Sequence, residues 1–156
     1  MNHPGVERVE ALLRGAGVSG EVRWLDESAP TAVAAAAALG VEVGAIANSL
    51  IFTLDGAPLL VMTSGSHRVD TGWLGDQLGG KMKRADADLV KAATGQTIGG
   101  VAPIGHPVPL RTIVDAQLAS YPQLWAAAGH AHTVFPLSFD ELVRITSGDV
   151  RAVTAE

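Results

Sequence analysis

Residues 97–110, TIGGVAPIGHPVPL, restrict the fold more than any other segment. Fourteen positions carry three glycines (Gly99, Gly100, Gly105) and three prolines (Pro103, Pro107, Pro109), with Gly95 just upstream. Proline lacks an amide donor and glycine resists ordering, so neither a helix interior nor a central strand runs through such a stretch. Yet Ile98, Val101, Ile104 and Val108 make it too apolar for a solvated linker. Two readings fit. It is either a close-fitting pocket wall, where paired glycines let backbone N–H groups approach a ligand, or a Gly/Pro turn tucked against the core.

The rest of the chain must supply the scaffold for that loop. At 156 residues it is long enough for one domain with a real core. Only 4% of it is aromatic against 47% hydrophobic, so that core is expected to be aliphatic and alanine-based. No apolar run reaches membrane-spanning length, and the opening MNHPGVERVE lacks a signal-peptide core. With no cysteine, disulfides, cysteine-type zinc sites and thiol catalysis are excluded together. A cytoplasmic protein is the expectation. The net charge of −5 argues against an extended duplex partner, because neutralised phosphates supply most of that affinity. The one compact basic patch, KMKR at 81–84, reads first as an edge-strand guard against aggregation.

Periodicity and capping signals place the elements. Val6, Val9, Leu12, Leu13 and Ala16 recur at helical spacing over 4–16, and Glu21–Leu25 alternates as a strand. Ser28 or Thr31 caps an alanine-rich helix that ends at Gly40. Residues 46–54 and 58–63 are strands around Asp55-Gly56, a strong hairpin signal. A helix over Thr71–Leu78, a strand at 81–84 and a helix from Asp86 to Ala93 follow. Beyond the loop come a strand over Leu110–Val114, two more at 123–128 and 132–135 joined through Gly129, and a helix over Ser138–Thr146 opened by a capping box. The last residues read as frayed. The hairpin argues against an all-parallel sheet, and the chain reads as a single α+β domain spanning 1–156.

Several segments in order, TAVAAAAALGV, IANSLIF, SGSHRVD, KRADADLV, TGQTIGGVAPIGH, IVDAQL and WAAAGHAHTVF, resemble the YbaK/prolyl-tRNA synthetase-associated domains over about residues 25–146. The GG-x-x-P-x-G element followed by an aspartate-ended strand is the most specific part. The resemblance implies a mixed, closed, barrel-like β-sheet with helices packed around it. It also implies editing in trans: hydrolysis of a wrong amino acid from a mischarged tRNA, for proline or with a related acceptor stem. The partner is then the acceptor end of that tRNA, with an aminoacyl-tRNA synthetase as a second partner. Neither a cofactor nor a metal is expected.

An aminoacyl ester is already activated, so its hydrolysis needs an oriented water and a stabilised oxyanion more than a dedicated nucleophile. Gly99 and Gly100 are the expected backbone donors. In the family a lysine often precedes the Ser/Thr-Leu of the first hairpin strand; here that position is Asn48, followed by Ser49. Asparagine donates a hydrogen bond but brings no charge. A serine found in several editing members is also absent from Ala126-Ala127-Ala128-Gly129.

Other candidates carry a plain reading beside the functional one. His106 is a general base or substrate donor, or a loop histidine bonded to a carbonyl. His130, after Gly129, lines the pocket or raises with His132 a weakly supported metal question. Arg68 and Asp70 form a ligand clamp or a surface pair. Asp115 orients the glycine loop or caps the following helix, and Thr31 offers a helix N-terminus to phosphate or merely caps. Trp24, Trp73 and Trp125 read as packing rather than base stacking. Three functions compete: a deacylase, a binding module that sequesters aminoacyl-tRNA or an aminoacyl nucleotide without turnover, and a hydrolase of small esters using His106.

Overall fold

The computed structural model describes residues 3–29, 31–96 and 100–154. Helix α1 (Pro4–Gly15) buries Val6, Val9 and Leu13, one stripe at helical spacing. Strand β1 is only Arg23–Trp24, shorter than Glu21–Leu25. Helix α2 (Ala32–Leu39) begins at Thr31, whose hydroxyl accepts the Ala34 N–H at 3.2 Å. Strands β2 (Ala47–Leu54) and β3 (Ala57–Ser64) form the expected hairpin. Asp55 and Gly56 have φ of 51° and 86°, and a two-residue type I′ turn requires both to be positive.

Helix α3 (Thr71–Leu78), strand β4 (Met82–Arg84) and helix α4 (Ala87–Thr94) follow, the helices capped by Asp70 and Asp86. After the loop come β5 (Arg111–Asp115), β6 (Leu124–Ala126), β7 (Thr133–Leu137) and helix α5 (Phe139–Thr146). The capping box closes in both directions: Glu141 N–H donates to Ser138 Oγ, and Ser138 N–H donates to Glu141 Oε1 at 2.8 Å. The frayed end is not found. Residues Asp149–Arg151 form β8, parallel to β5, and Val153 behind it is fully buried. Pairing with the open edge of β5 orders a segment whose own sequence is mostly polar.

The strands make two sheets, β4-β2-β3-β5-β8 and β1-β7-β6. The first is mixed, since β5 runs parallel to both β3 and β8. The α+β class holds, but the barrel does not close. Among the described residues one β-bridge, Ile46 to Trp125, joins the sheets, which otherwise meet through side-chain packing. The physical reason lies in β4, which pairs with β2 only over Phe52–Leu54 and leaves the first half of β2 without a neighbour on that side.

Both faces of the larger sheet are covered. Ala47, Ile51, Leu60 and Met62 pack with α1 and with Leu124 and Phe135 of the smaller sheet. Phe52, Leu59, Val61 and Ile113 pack under Leu74 of α3. Leu60, Val61, Met62 and Ile113 have no exposed surface, and burial of each such side chain contributes about 1.5–3 kcal/mol. A third cluster, built from Ala35, Ala36, Ile46, Trp125 and Val134, fastens α2 across the point where the sheets meet. That cluster borders the site.

Candidate active site

A cavity of about 380 Å³ occupies the split between the two sheets. Its apolar walls come from α2 (Ala32, Ala35), from α4 and the loop (Val90, Val101), and from the smaller sheet (Trp125, Ala126, Val134). Its floor is β2, from Ile46 to Ile51. Arg84 is the one charged side chain on the wall among the described residues, and no carboxylate or imidazole joins it there.

The pairing pattern dictates which backbone groups face that space. In an antiparallel strand the N–H and C=O of one residue point to the same side, and those of the next residue to the other. Ile46 C=O accepts from Gly65 N–H of the β3 side, so even-numbered residues of β2 point toward β3. Ile51 C=O accepts from Ala85 N–H at 3.2 Å, and Asp55 N–H donates to Lys81 C=O, so odd-numbered residues point toward β4. Ser49 belongs to the odd set, yet β4 stops short of it and the contact with Trp125 lies beyond it at Ile46. The Ser49 amide therefore opens on the gap between the sheets. Buried backbone donors are costly to leave unmade, so this one is available to a ligand or to water.

The side chains divide by strand alternation. Ser49 shares a face with Ala47 and Ile51, and its hydroxyl donates to Met62 Sδ at 3.3 Å. Asn48 lies on the opposite face, beside Thr63 in register, and still borders the cavity. Its amide makes no hydrogen bond among the described residues and is not buried. Thr31 joins the wall through the start of α2. Arg84, on edge strand β4, is exposed and forms no ion pair among the described residues. KMKR thus does include an edge-strand lysine, Lys83, but its last residue reaches the cavity, a role the plain reading missed. The signal was its position just before Ala85, where the chain turns from edge to core.

The glycine loop serves the site from behind. Gly99 lies outside the described residues. Gly100 is buried, and a Cβ built on it would lie 2.6 Å from His130 C and 2.7 Å from Ala131 N. Its carbonyl accepts the Gly129 N–H at 2.9 Å. Gly129 itself has a φ of +103° and packs toward α1 at Gly5 and Val9. The next residue of the loop, Val101, lines the cavity. Gln96, which the sequence reading passed over, holds the loop shut: it accepts the Ala102 N–H at 2.7 Å and donates to Ile104 C=O at 3.2 Å.

His106 stands off the cavity wall. Its Nε2–H donates to Ala102 C=O at 2.9 Å, the carbonyl-bonded alternative. Burial pushes its titration below the ordinary imidazole range; the Ala102 hydrogen bond opposes that shift and Arg8 adds to it. Asp115 is fully buried and accepts three hydrogen bonds, from Ser64 N–H, His67 Nδ1 and Gln117 N–H. It caps the turn at Ala116–Ser120 and pins the 64–67 turn, not the glycine loop. Arg68 is exposed away from the cavity, and Asp70 is spent on the α3 cap, accepting Trp73 N–H at 3.0 Å. His130 lies beside the cavity in a turn shared with His132, and among the described residues no three or more His, Asp or Glu are gathered to hold a metal. Trp125 lines the cavity with the Arg23 guanidinium 5.0 Å over its ring, Trp24 packs against His130, and Trp73, on α3, is half-buried against the core cluster beneath that helix.

Comparison with known proteins agrees with this geometry. The aminoacyl-tRNA editing domain family matches residues 26–145. The proline–tRNA ligase of Desulfovibrio desulfuricans is 29% identical over 97% of this chain, which spans only 27% of that protein. The uncharacterized protein YwhH of Bacillus subtilis is 28% identical over 78% of each chain. A crystal structure of a candidate trans-editing enzyme for prolyl-tRNA synthetase superposes with a TM-score of 0.92 at 35% identity, covering 100% of both chains. An epitope-presenting scaffold protein superposes at 0.91 with 33% identity over 99% of both. The chain belongs to the aminoacyl-tRNA editing domain family.

Proposed function

We propose that the protein is a trans-acting aminoacyl-tRNA deacylase that hydrolyses the ester of a mischarged tRNA, one for proline or with a related acceptor stem. The observation that carries this reading is the Ser49 amide, without a ladder partner among the described residues, facing a largely apolar cavity at the split between the sheets. An esterified amino acid seated there turns its carbonyl to β2. Water adds to the carbonyl carbon, and the charge forming on the carbonyl oxygen is met by the Ser49 N–H, with the Asn48 amide beside it. One such donor typically contributes about 2.7–4 kcal/mol to the transition state.

With no carboxylate or imidazole on the described wall, the proton inventory closes through the substrate. The adjacent ribose hydroxyl relays the water's proton to the departing ribose oxygen as the ester C–O bond breaks. The products are the free amino acid and an uncharged tRNA. Arg84 faces the phosphates of the acceptor end at the entrance. Gly100, Gly129 and Asp115 hold loops in place, and His106 supports the glycine loop from outside. Selection rests on the fit of the side chain to an alanine-rich wall, which separates neighbours in size only modestly.

The test is multiple-turnover deacylation across a panel of mischarged tRNAs, tRNA for proline included. At least one substrate should turn over well above its spontaneous rate; uniform failure across the panel removes the enzyme reading. Asn48, neutral where the family often has lysine, favours a second reading, a module that binds aminoacyl-tRNA without turnover. That reading expects saturable binding, no release, and a gain of turnover in Asn48→Lys.

A further inference from the structure

In a chain poor in aromatic residues, four half-buried rings are drawn together from three separate places. His3, Trp24, His130 and His132 come from the α1 cap, β1 and the turn before β7. Ring centroids are 5.0 Å apart for His3 and His130, 5.2 Å for Trp24 and His130, and 5.3 Å for His130 and His132. Three of the five histidines are committed to this one spot. They do not assemble a metal site among the described residues.

The inward edges of the imidazoles are fixed by the backbone. His3 Nδ1 accepts from Val6 N–H, His130 Nδ1 accepts from His132 N–H, and His132 Nδ1 donates to Leu25 C=O. The protons are thereby assigned: Nε2 of His3 and His130 carries hydrogen, and Nε2 of neutral His132 is an acceptor. None of these Nε2 atoms, nor the Trp24 indole N–H, has a partner among the described residues, and none is buried. The cluster thus offers solvent an apolar aromatic body edged with donors and one acceptor. Burial, with His3 and His132 alongside, pushes the titration of His130 down, so that ring stays neutral near neutrality.

The cluster adjoins the cavity through Thr133. That residue lines the cavity, donates its hydroxyl to His130 C=O at 2.7 Å, and pairs with Trp24 in register. From this juxtaposition we infer that the His3–Trp24–His130–His132 cluster is a nucleobase-stacking platform for the single-stranded acceptor end whose esterified ribose enters the cavity. Every base has a π-face and a polar edge, which suits rings that carry both. The choice of ligand rests on the deacylase reading; the existence of a base-binding platform is tested without it.

The test is a fluorescence-anisotropy titration of the uncharged trinucleotide CCA carrying a dye at its 5′ end. Its anisotropy should rise saturably with protein. Trp24→Leu should weaken binding by about five- to a hundredfold, the range one stacked base supplies, and Trp24→Phe should restore most of it. His130→Ala should weaken binding while the melting temperature of the Trp24→Phe variant guards against a folding artefact. A trinucleotide with an abasic 3′ end should bind as weakly as CCA binds Trp24→Leu. If the abasic trinucleotide matches CCA, or inorganic phosphate displaces CCA at equal strength, the contact is to phosphate and the platform is overturned. Unaltered CCA binding in Trp24→Leu overturns it as well. Trp24-dependent CCA binding without any deacylation supports the platform and removes only the enzyme.

Discussion

Gly100→Ala is the sharpest test of how the loops are assembled. The difficulty an alanine meets at Gly100 is one of space. The added methyl would sit 2.6 Å from His130 C, 2.7 Å from Ala131 N and 2.8 Å from His130 Cα. All three are backbone atoms, held by Gly129 N–H to Gly100 C=O on one side and Thr133 N–H to His130 C=O on the other. No rotamer change relieves that contact. Overpacking of this kind costs about 1–3 kcal/mol, and parting the Gly129–Gly100 hydrogen bond adds about 1 kcal/mol. The sum, about 2–4 kcal/mol, corresponds to a fall in melting temperature of roughly 5–15 °C for a domain of this size. Urea unfolding of Gly100→Ala beside Gly15→Ala measures it, since a Cβ at Gly15 meets nothing within 4 Å. The variants should separate by at least about 2 kcal/mol. Equal midpoints would refute the close approach.

Ser49→Pro removes the amide that faces the cavity without breaking a ladder bond, so it should fold while losing about 10²–10³ in kcat, and Ser49→Ala should keep its rate; equal rates in the two variants exclude the amide. Arg84→Ala should raise KM for mischarged tRNA several-fold with little change in kcat and reduce the salt slope of binding by about 0.7, the share of one single-strand phosphate. His106 has a folded pKa below its unfolded value of about 6.5, so the unfolded chain binds the proton first as pH falls. Stability is then full above about pH 6.5 and declines below it, and His106→Asn should flatten part of that decline in urea unfolding between pH 7.5 and 5. An unchanged slope would show that His106 does not contribute. Ser138→Ala, which opens the capping box of α5, should cost about 0.5–2 kcal/mol by thermal melting.

Local chemistry was legible and long-range pairing was not. Asp86 and Ser138 announced their helices because a cap acts within three residues, and Asp55-Gly56 announced its hairpin for the same reason. β8 went unread since Asp149, Val150 and Arg151 carry no apolar alternation, and only the exposed edge of β5 makes them a strand. The open barrel was equally hidden: where β4 stops beside β2 depends on partners about thirty positions apart. Asn48 and Ser49, singled out through the family resemblance, and Thr31, singled out as a helix cap, border the cavity. Arg84 was masked by a three-residue strand too short to display its alternation. The ring cluster joins positions 3 and 132, beyond any periodicity.

The Ile46–Trp125 contact carries a mechanical corollary. A ladder of many rungs would fix the separation of the two sheets to the spacing of hydrogen bonds, but with one rung among the described residues the packing of side chains sets it instead. The gape of the cleft is then governed by the bulk of the side chains wedged beside it, Ala35 and Val134 among them. A lineage able to exchange those wedges can retune which cargo enters while both sheets keep their own registers intact.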